Sequence, residues 1–192
     1  MKARWSVMVL MMALVAVCAI VAVADDVPAQ GEGGMPPMGP PEEIKNAAKI
    51  IGTWDVATKM KMDTAQVEWM EAPAVVTFSY FLDGGAIRMD YEMEMMGMPF
   101  KGFSISTYDR ETKQWQEVWV DNMSCRLSMM TGTEENGVRI MTGTDIWQGQ
   151  EMLTKNTSYN FTDTSFDWTM ESSVDGGKTW FTGMTATYTK RK

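Results

Sequence analysis

From residue 52 onward the chain is written in twos. Trp54, Val56, Thr58, Met60 and Met62 alternate with Asp55, Ala57, Lys59 and Lys61, and Ile87, Met89, Tyr91, Met93 and Met95 alternate with Arg88, Asp90, Glu92 and Glu94. A period of two puts successive side chains on opposite faces of a strand. Residues 73–82 are β-branched and aromatic, and further strands are predicted over 100–108, 114–122, 125–131, 138–144, 152–161, 165–173 and 179–190. Asp83-Gly84-Gly85, Asp109-Arg110-Glu111-Thr112, Glu135-Asn136-Gly137 and Asp175-Gly176-Gly177 supply turns between them. About ten short strands joined by tight turns imply an antiparallel meander. Left flat, such a meander exposes two edges, so closure into a barrel is expected. No helical pattern long enough for a crossover separates the strands, which excludes a parallel α/β fold. The fold expected is all-β, a single antiparallel barrel of about eight to ten strands, with an interior that side chains fill or one small ligand occupies.

A different period precedes the strands. Pro41-Glu42-Glu43 is a good first helical turn, and Ile44, Ala47, Ala48 and Ile51 then fall at i, i+3, i+4 and i+7. A short helix ending at Gly52 is predicted. The barrel domain is therefore assigned to residues 42–192. Residues 25–41 hold five prolines and four glycines and read as a disordered linker. Residues 1–24 read as a signal peptide: Lys2 and Arg4, an apolar run from Trp5 to Val21 broken only by Ser6, then Ala22-Val23-Ala24 before Asp25. The chain is expected in the periplasm or outside the cell, cleaved after Ala24 and free of the membrane thereafter. Cleavage would remove Cys18 and leave Cys125 as the sole thiol, with no internal disulfide to make; a buried or inert thiol is expected there.

Charge and composition remove whole classes of activity. The net charge is −8 and the basic residues form no block, so nucleic acid is not an expected partner. The chain contains no histidine, which excludes Ser-His-Asp and Cys-His catalysis, the common zinc-protease motif and histidine-ligated haem. It contains 21 methionines.

Gly52-Thr53-Trp54 sits between the predicted helix and the first strand, and this placement resembles the calycin and lipocalin superfamily. The resemblance implies a tryptophan packed across the closed end of a barrel beneath a basic side chain from near the last strand, here Lys190 or Arg191. Met95-Met96-Gly97-Met98-Pro99-Phe100-Lys101-Gly102, Tyr108-Asp109, Trp119-Val120-Asp121-Asn122-Met123 and Tyr188-Thr189-Lys190-Arg191 follow in order. Together they resemble the bacterial domain of unknown function 1579 family, which implies a lipocalin-like barrel over roughly residues 44–192 and carries no established activity. Ser106-Thr107 before Tyr108, where the family usually has glycine, and the longer Asp175-Gly176-Gly177-Lys178 turn depart from its pattern.

Candidate chemistry is sparse. Trp115, Glu117, Trp119 and Asp121 share one face of a strand; facing inward, they would set two carboxylates among aromatics, and the pattern leaves inward and outward both open. Such carboxylates could orient a ligand or serve general acid–base work. Asp121 also lies in the family motif, which makes it the better candidate, and an enzyme using it with Tyr91 or Tyr108 is a third possibility, with no nucleophile–base pair visible. Ser173–Trp180 matches the Asp-box pattern, which is a hairpin-turn device. Met93, Met95, Met96 and Met98, with Met35 and Met38 upstream, form a thioether-rich group of the kind that binds Cu(I), against the reading of methionine as pliable core filler. Three Asn-x-Ser/Thr sequons, at Asn122, Asn156 and Asn160, carry no weight in a chain of bacterial resemblance.

The function expected is non-catalytic binding of a small apolar molecule inside the barrel, with no cofactor. Trp54, Met89, Tyr91, Met93, Trp119, Asp121 and Trp168 are the expected cavity residues. The alternative is a Cu(I)-handling protein using Met93 and Met95.

Overall fold

The computed structural model describes residues 38–61 and 64–192. The predicted signal peptide, linker residues 25–37 and Met62 lie outside the described residues. Helix α1 (Glu42–Asn46) starts directly after Pro41, with Glu42 and Glu43 in the first turn. The predicted continuous helix then tightens into a 3-10 turn, Ala47–Ile50. Three residues per turn bring Ile44, Ala47 and Ile50 into line, and these are the buried residues. Ala48, expected on the buried face, is exposed. The turn leaves the Ile50 carbonyl free to accept the Trp54 indole N–H at 2.7 Å.

Gly52 does not cap the helix as predicted but opens the first strand at φ +128°. A Cβ there would stand 3.1 Å from Lys190 Cε, so glycine is what lets the lysine stem cross this point.

Eleven strands follow: β1 (Gly52–Met60), β2 (Met70–Glu71), β3 (Ala74–Phe81), β4 (Ala86–Met95), β5 (Met98–Asp109), β6 (Gln114–Asp121), β7 (Ser128–Glu135), β8 (Val138–Trp147), β9 (Gln150–Tyr159), β10 (Ser165–Ser173) and β11 (Phe181–Lys190). From β3 to β11 each pairs antiparallel with the next; β1 takes β3 on one side and β11 on the other, which closes ten strands into a barrel. The two-residue β2 pairs only with the far end of β1. Alternation decides what faces in: on β1, Trp54, Val56, Thr58 and Met60 are buried while Asp55, Ala57 and Lys59 are exposed.

Turn chemistry fixes the connections. The strand predicted from residue 125 starts at Ser128 instead, because the Asp121 carboxylate accepts the Met123 and Ser124 N–H groups and holds residues 122–125 in a turn. Cys125, at φ 49°, is therefore exposed in that loop rather than buried. The Asp-box segment is a hairpin connection. Asp175 takes the Thr179 hydroxyl and backbone N–H, the Ser173 hydroxyl and the Lys178 N–H, which together hold its carboxyl down to about 2.

One end of the barrel is sealed by aromatics. Trp54, 0% exposed, meets Phe166 edge-on at 5.1 Å, and Phe166 stacks on Tyr188 at 4.2 Å and Phe161 at 5.0 Å. Lys190 Nζ lies 5.4 Å from the Trp54 ring centre and donates to the Lys49 carbonyl at 2.9 Å. Arg191 turns outward to pair with Asp55, so Lys190 is the basic residue of the closed end.

Removing the Trp54 side chain should open a cavity in this seal, and Trp54→Ala should cost about 3–5 kcal/mol. Trp69, 37% exposed with Lys61 over its ring at 4.9 Å, should lose much less on truncation to alanine. Urea titrations of the two variants test this; equal, small losses would contradict the role given to Trp54.

Candidate ligand cavity

Ten strands enclose more room than their side chains fill. The barrel holds a cavity of 1090 Å³, at the upper end of what small-molecule sites occupy. Its wall includes Met89, Tyr91 and Met93 from β4, Trp119 from β6, Met130 from β7, Met141 from β8 and Trp168 from β10. Eleven methionines line it, so more than half of the chain's 21 are spent on one surface. Unbranched and polarizable, they give a wall that repacks around guests of different shape. The wall reaches Ser124 and Arg126 in the loop after β6 and Trp147 at the end of β8, opposite the Trp54 seal.

Gly102 sets the position of one aromatic. A Cβ there would fall 2.3 Å from Trp119 Cζ2, so the indole lies flat across the glycine. Trp119 then meets Tyr91 edge-on at 6.1 Å and stacks with Phe100 at 6.4 Å. The Tyr91 hydroxyl shares a 3.5 Å contact with Thr58 and donates to Met93 Sδ at 3.3 Å. Burial pushes the Tyr91 phenol up, partly offset by Thr58, and pushes Tyr188 up further.

The β6 strand faces its Trp115–Asp121 set inward. Glu117 accepts the Ser106 hydroxyl at 2.5 Å, and the surface it keeps faces the cavity rather than bulk water. Burial raises its carboxyl above the ordinary 4.5, against the lowering effects of Ser106 and Arg139. Arg139 is held in turn: it donates to Glu134 at 2.6 and 2.8 Å and stacks 3.6 Å over Trp115. The buried Ser104 hydroxyl, on the same face as Ser106, also lowers the Glu117 carboxyl, while two buried oxygens on inward-facing positions, Thr154 Oγ1 and Asn156 Oδ1, have no partner among the described residues.

Of the residues expected to line the cavity, Met89, Tyr91, Met93, Trp119, Asp121 and Trp168 do so; Trp54 lies in the closed end instead. Asp121 is occupied locally. Burial alone would raise its carboxyl, but donors from Ser124, Trp119 and Met123 outweigh that and hold it low. No hydrogen bond joins it to Tyr91 or Tyr108 among the described residues, and Tyr108 packs on Trp115 at 5.7 Å. The methionine group is split: Met93 and Met95 line the cavity, while Met96 and Met98 are exposed on the β4–β5 hairpin. Met38 is exposed and Met35 lies outside the described residues. Arg139, Thr154 and Asn156 were not foreseeable as wall residues, since apolar Ile140 beside Arg139 is the one that faces out, 41% exposed.

A carboxyl raised by burial makes a signed prediction. Ionising Glu117 costs more in the fold than in the unfolded chain, so its contribution to stability is complete below pH 4.5 and is lost as pH rises through its folded value. Glu117→Gln should therefore raise Tm at pH 7 and bring no gain below pH 4.5. A Tm at pH 7 equal to or below that of the wild type would contradict a desolvated carboxylate.

Two solved structures share the architecture. A protein from M. tuberculosis, Rv2717c, superposes with a TM-score of 0.59 at 10% identity, covering 80% of this chain and all of that one. The S-type phycobiliprotein lyase CPES from Guillardia theta superposes with a TM-score of 0.52 at 13% identity, covering 79% of this chain and 92% of that one. At these identities the likeness shows the lipocalin-like barrel fold alone. No curated protein matches the sequence. The family described as protein of unknown function DUF1579 matches residues 40–190, nearly the whole described barrel, and the chain belongs to it.

Proposed function

We propose that the barrel binds a small, largely apolar molecule in its interior. The observation that carries this reading is the 1090 Å³ cavity, whose exposed wall is mainly apolar, built of methionine and aromatic side chains with polar and charged groups set among them. The fold shared with a protein named as a phycobiliprotein lyase is in keeping with it. The molecule would be met outside the cytoplasm, after cleavage following Ala24. Intact mass of exported protein should begin at Asp25; residues 1–24 still attached would overturn that part.

Trp119 and Trp168 in the wall give the binding test. Dodecanol, an uncharged probe, should change tryptophan emission saturably, with an affinity little altered by salt. Replacing both Met93 and Met95 with leucine conserves volume and should cost under about 1.5 kcal/mol per site. The double variant should still bind dodecanol. Tight Cu(I) binding by the wild type, lost in that variant, with no apolar probe bound by either protein, would overturn the reading in favour of a thioether metal site.

A further inference from the structure

Ion pairs, cation–π contacts and loop donors occupy the charged groups of the cavity wall, except for one carboxylate that has no ion-pair partner among the described residues. Four cations line the cavity, and each is engaged. Arg139 is paired with Glu134 and stacked on Trp115. Arg126 is paired with Asp145 at 3.0 Å, and it donates to the Ile146 carbonyl at the mouth. Lys49 lies over Phe161 at 4.6 Å, at the sealed end, and Lys61 over Trp69 at 4.9 Å. Of the lining acids, Glu134 and Asp145 are neutralised by these arginines, and Asp121 is filled by donors of its own loop. Glu117 remains.

Glu117 makes no ion pair among the described residues: Arg139, paired with Glu134, acts on it only from beyond ion-pair distance, and the Ser106 and Ser104 hydroxyls are its neutral donors. One carboxylate oxygen takes the Ser106 hydroxyl, while a carboxylate offers about four lone-pair sites. Its cross-strand neighbour is Met130, whose sulfur accepts the Asn156 amide N–H at 3.2 Å. Asn156 has thus turned a donor to the wall and left its oxygen without a partner. Thr154, two residues away on the same strand face, leaves its hydroxyl unpaired too. A guest with a carboxylate head would meet Glu117 and Asn156 Oδ1 with no unengaged cation. A guest that donates hydrogen bonds would satisfy both.

We propose that the cavity selects amphiphiles whose head group donates hydrogen bonds, alkylammonium above all, with Glu117 as its counter-charge. This rests on the reading of the barrel as a ligand cavity. A charge-assisted bond in an apolar surrounding is stronger than a neutral one, and it offsets the desolvation cost of a carboxylate that has no ion pair. The apolar wall takes the alkyl chain of any such molecule equally, so the selection lies in the head.

The test compares dodecylamine, dodecanol and dodecanoate by tryptophan emission on the full chain at pH 7 in 0.15 M salt, where attraction to the negative surface is screened beyond about 8 Å. The amine should bind at least about tenfold tighter than the alcohol, as expected of a hydrogen bond to a charged group, and the carboxylate should bind weakest. Glu117→Gln should weaken the amine most and bring amine and alcohol within about twofold of each other. Glu94→Gln, which removes an equal charge from an exposed β4 position, should leave the amine preference intact. Dodecanoate binding as tightly as dodecylamine, or a preference that survives Glu117→Gln, overturns the proposal while dodecanol binding keeps the cavity reading. Failure of all three probes overturns both. The wild-type ranking alone decides the matter should the Glu117 variant not fold.

Discussion

Seven residue pairs join β1 to β11, from Trp54 opposite Lys190 to Met60 opposite Met184, and they turn a sheet with two raw edges into a tube. Closure removes the unpaired backbone groups that would otherwise template aggregation. It also fixes the interior. Ten strands in a ring have a circumference that inward side chains do not fill, and the cavity is the geometric consequence. The same seam places Lys190 over Trp54 and Arg191 against Asp55, so one pairing builds both the tube and its stopper. Gly52 belongs to that seam as well, since a side chain there would block the lysine.

The residues through which the family is recognised turn out to be makers of turns and seams. Asn122 is bound into β5 by three hydrogen bonds, to the Lys101 N–H, the Lys101 carbonyl and the Pro99 carbonyl. Asp121 caps the following turn, Gly102 seats Trp119, and Asp109 takes the Glu111 and Thr112 N–H groups. Such positions tolerate few residue types whatever the barrel carries. A motif that specifies a fold this closely says little of the interior. Of the two β6 carboxylates in the cavity wall, Asp121, drawn from a motif, is satisfied by its own loop, while Glu117, outside it, is held by burial among neutral donors.

Strand alternation made most of the architecture legible. On β1 and β4, apolar and charged residues separate cleanly, and Asp83-Gly84 and Asn136-Gly137 take positive φ in their turns; Leu82, Met96, Lys113 and Gln148 do so as well, without a residue type that announces it. The pattern fails on β8 and β9, where Arg139, Thr154, Asn156 and Ser158 face in while Ile140 faces out. A barrel with a hollow interior places no uniform demand for apolar residues on its inner face, so period two survives there but its polarity does not. The helix differs for a local reason: a 3-10 turn moves the buried position from Ala48 to Ile50, whose carbonyl accepts the Trp54 indole N–H, a contact no period encodes. Cys125 was misplaced because the Asp121 turn delays β7 by three residues.

A pliable methionine wall, an aromatic seal and one carboxylate without an ion pair bound the cavity on which the proposed binding rests. The methionines that form the wall are also its best reporters. With methyl-labelled methionine, NMR spectra recorded during addition of dodecanol should show shifts for Met93, Met130, Met141 and Met170, which line the cavity. Met38, Met96 and Met98, all exposed, should stay in place. Shifts confined to the exposed methionines, with the inward set unmoved, would place the guest on the surface and contradict an internal binding cavity.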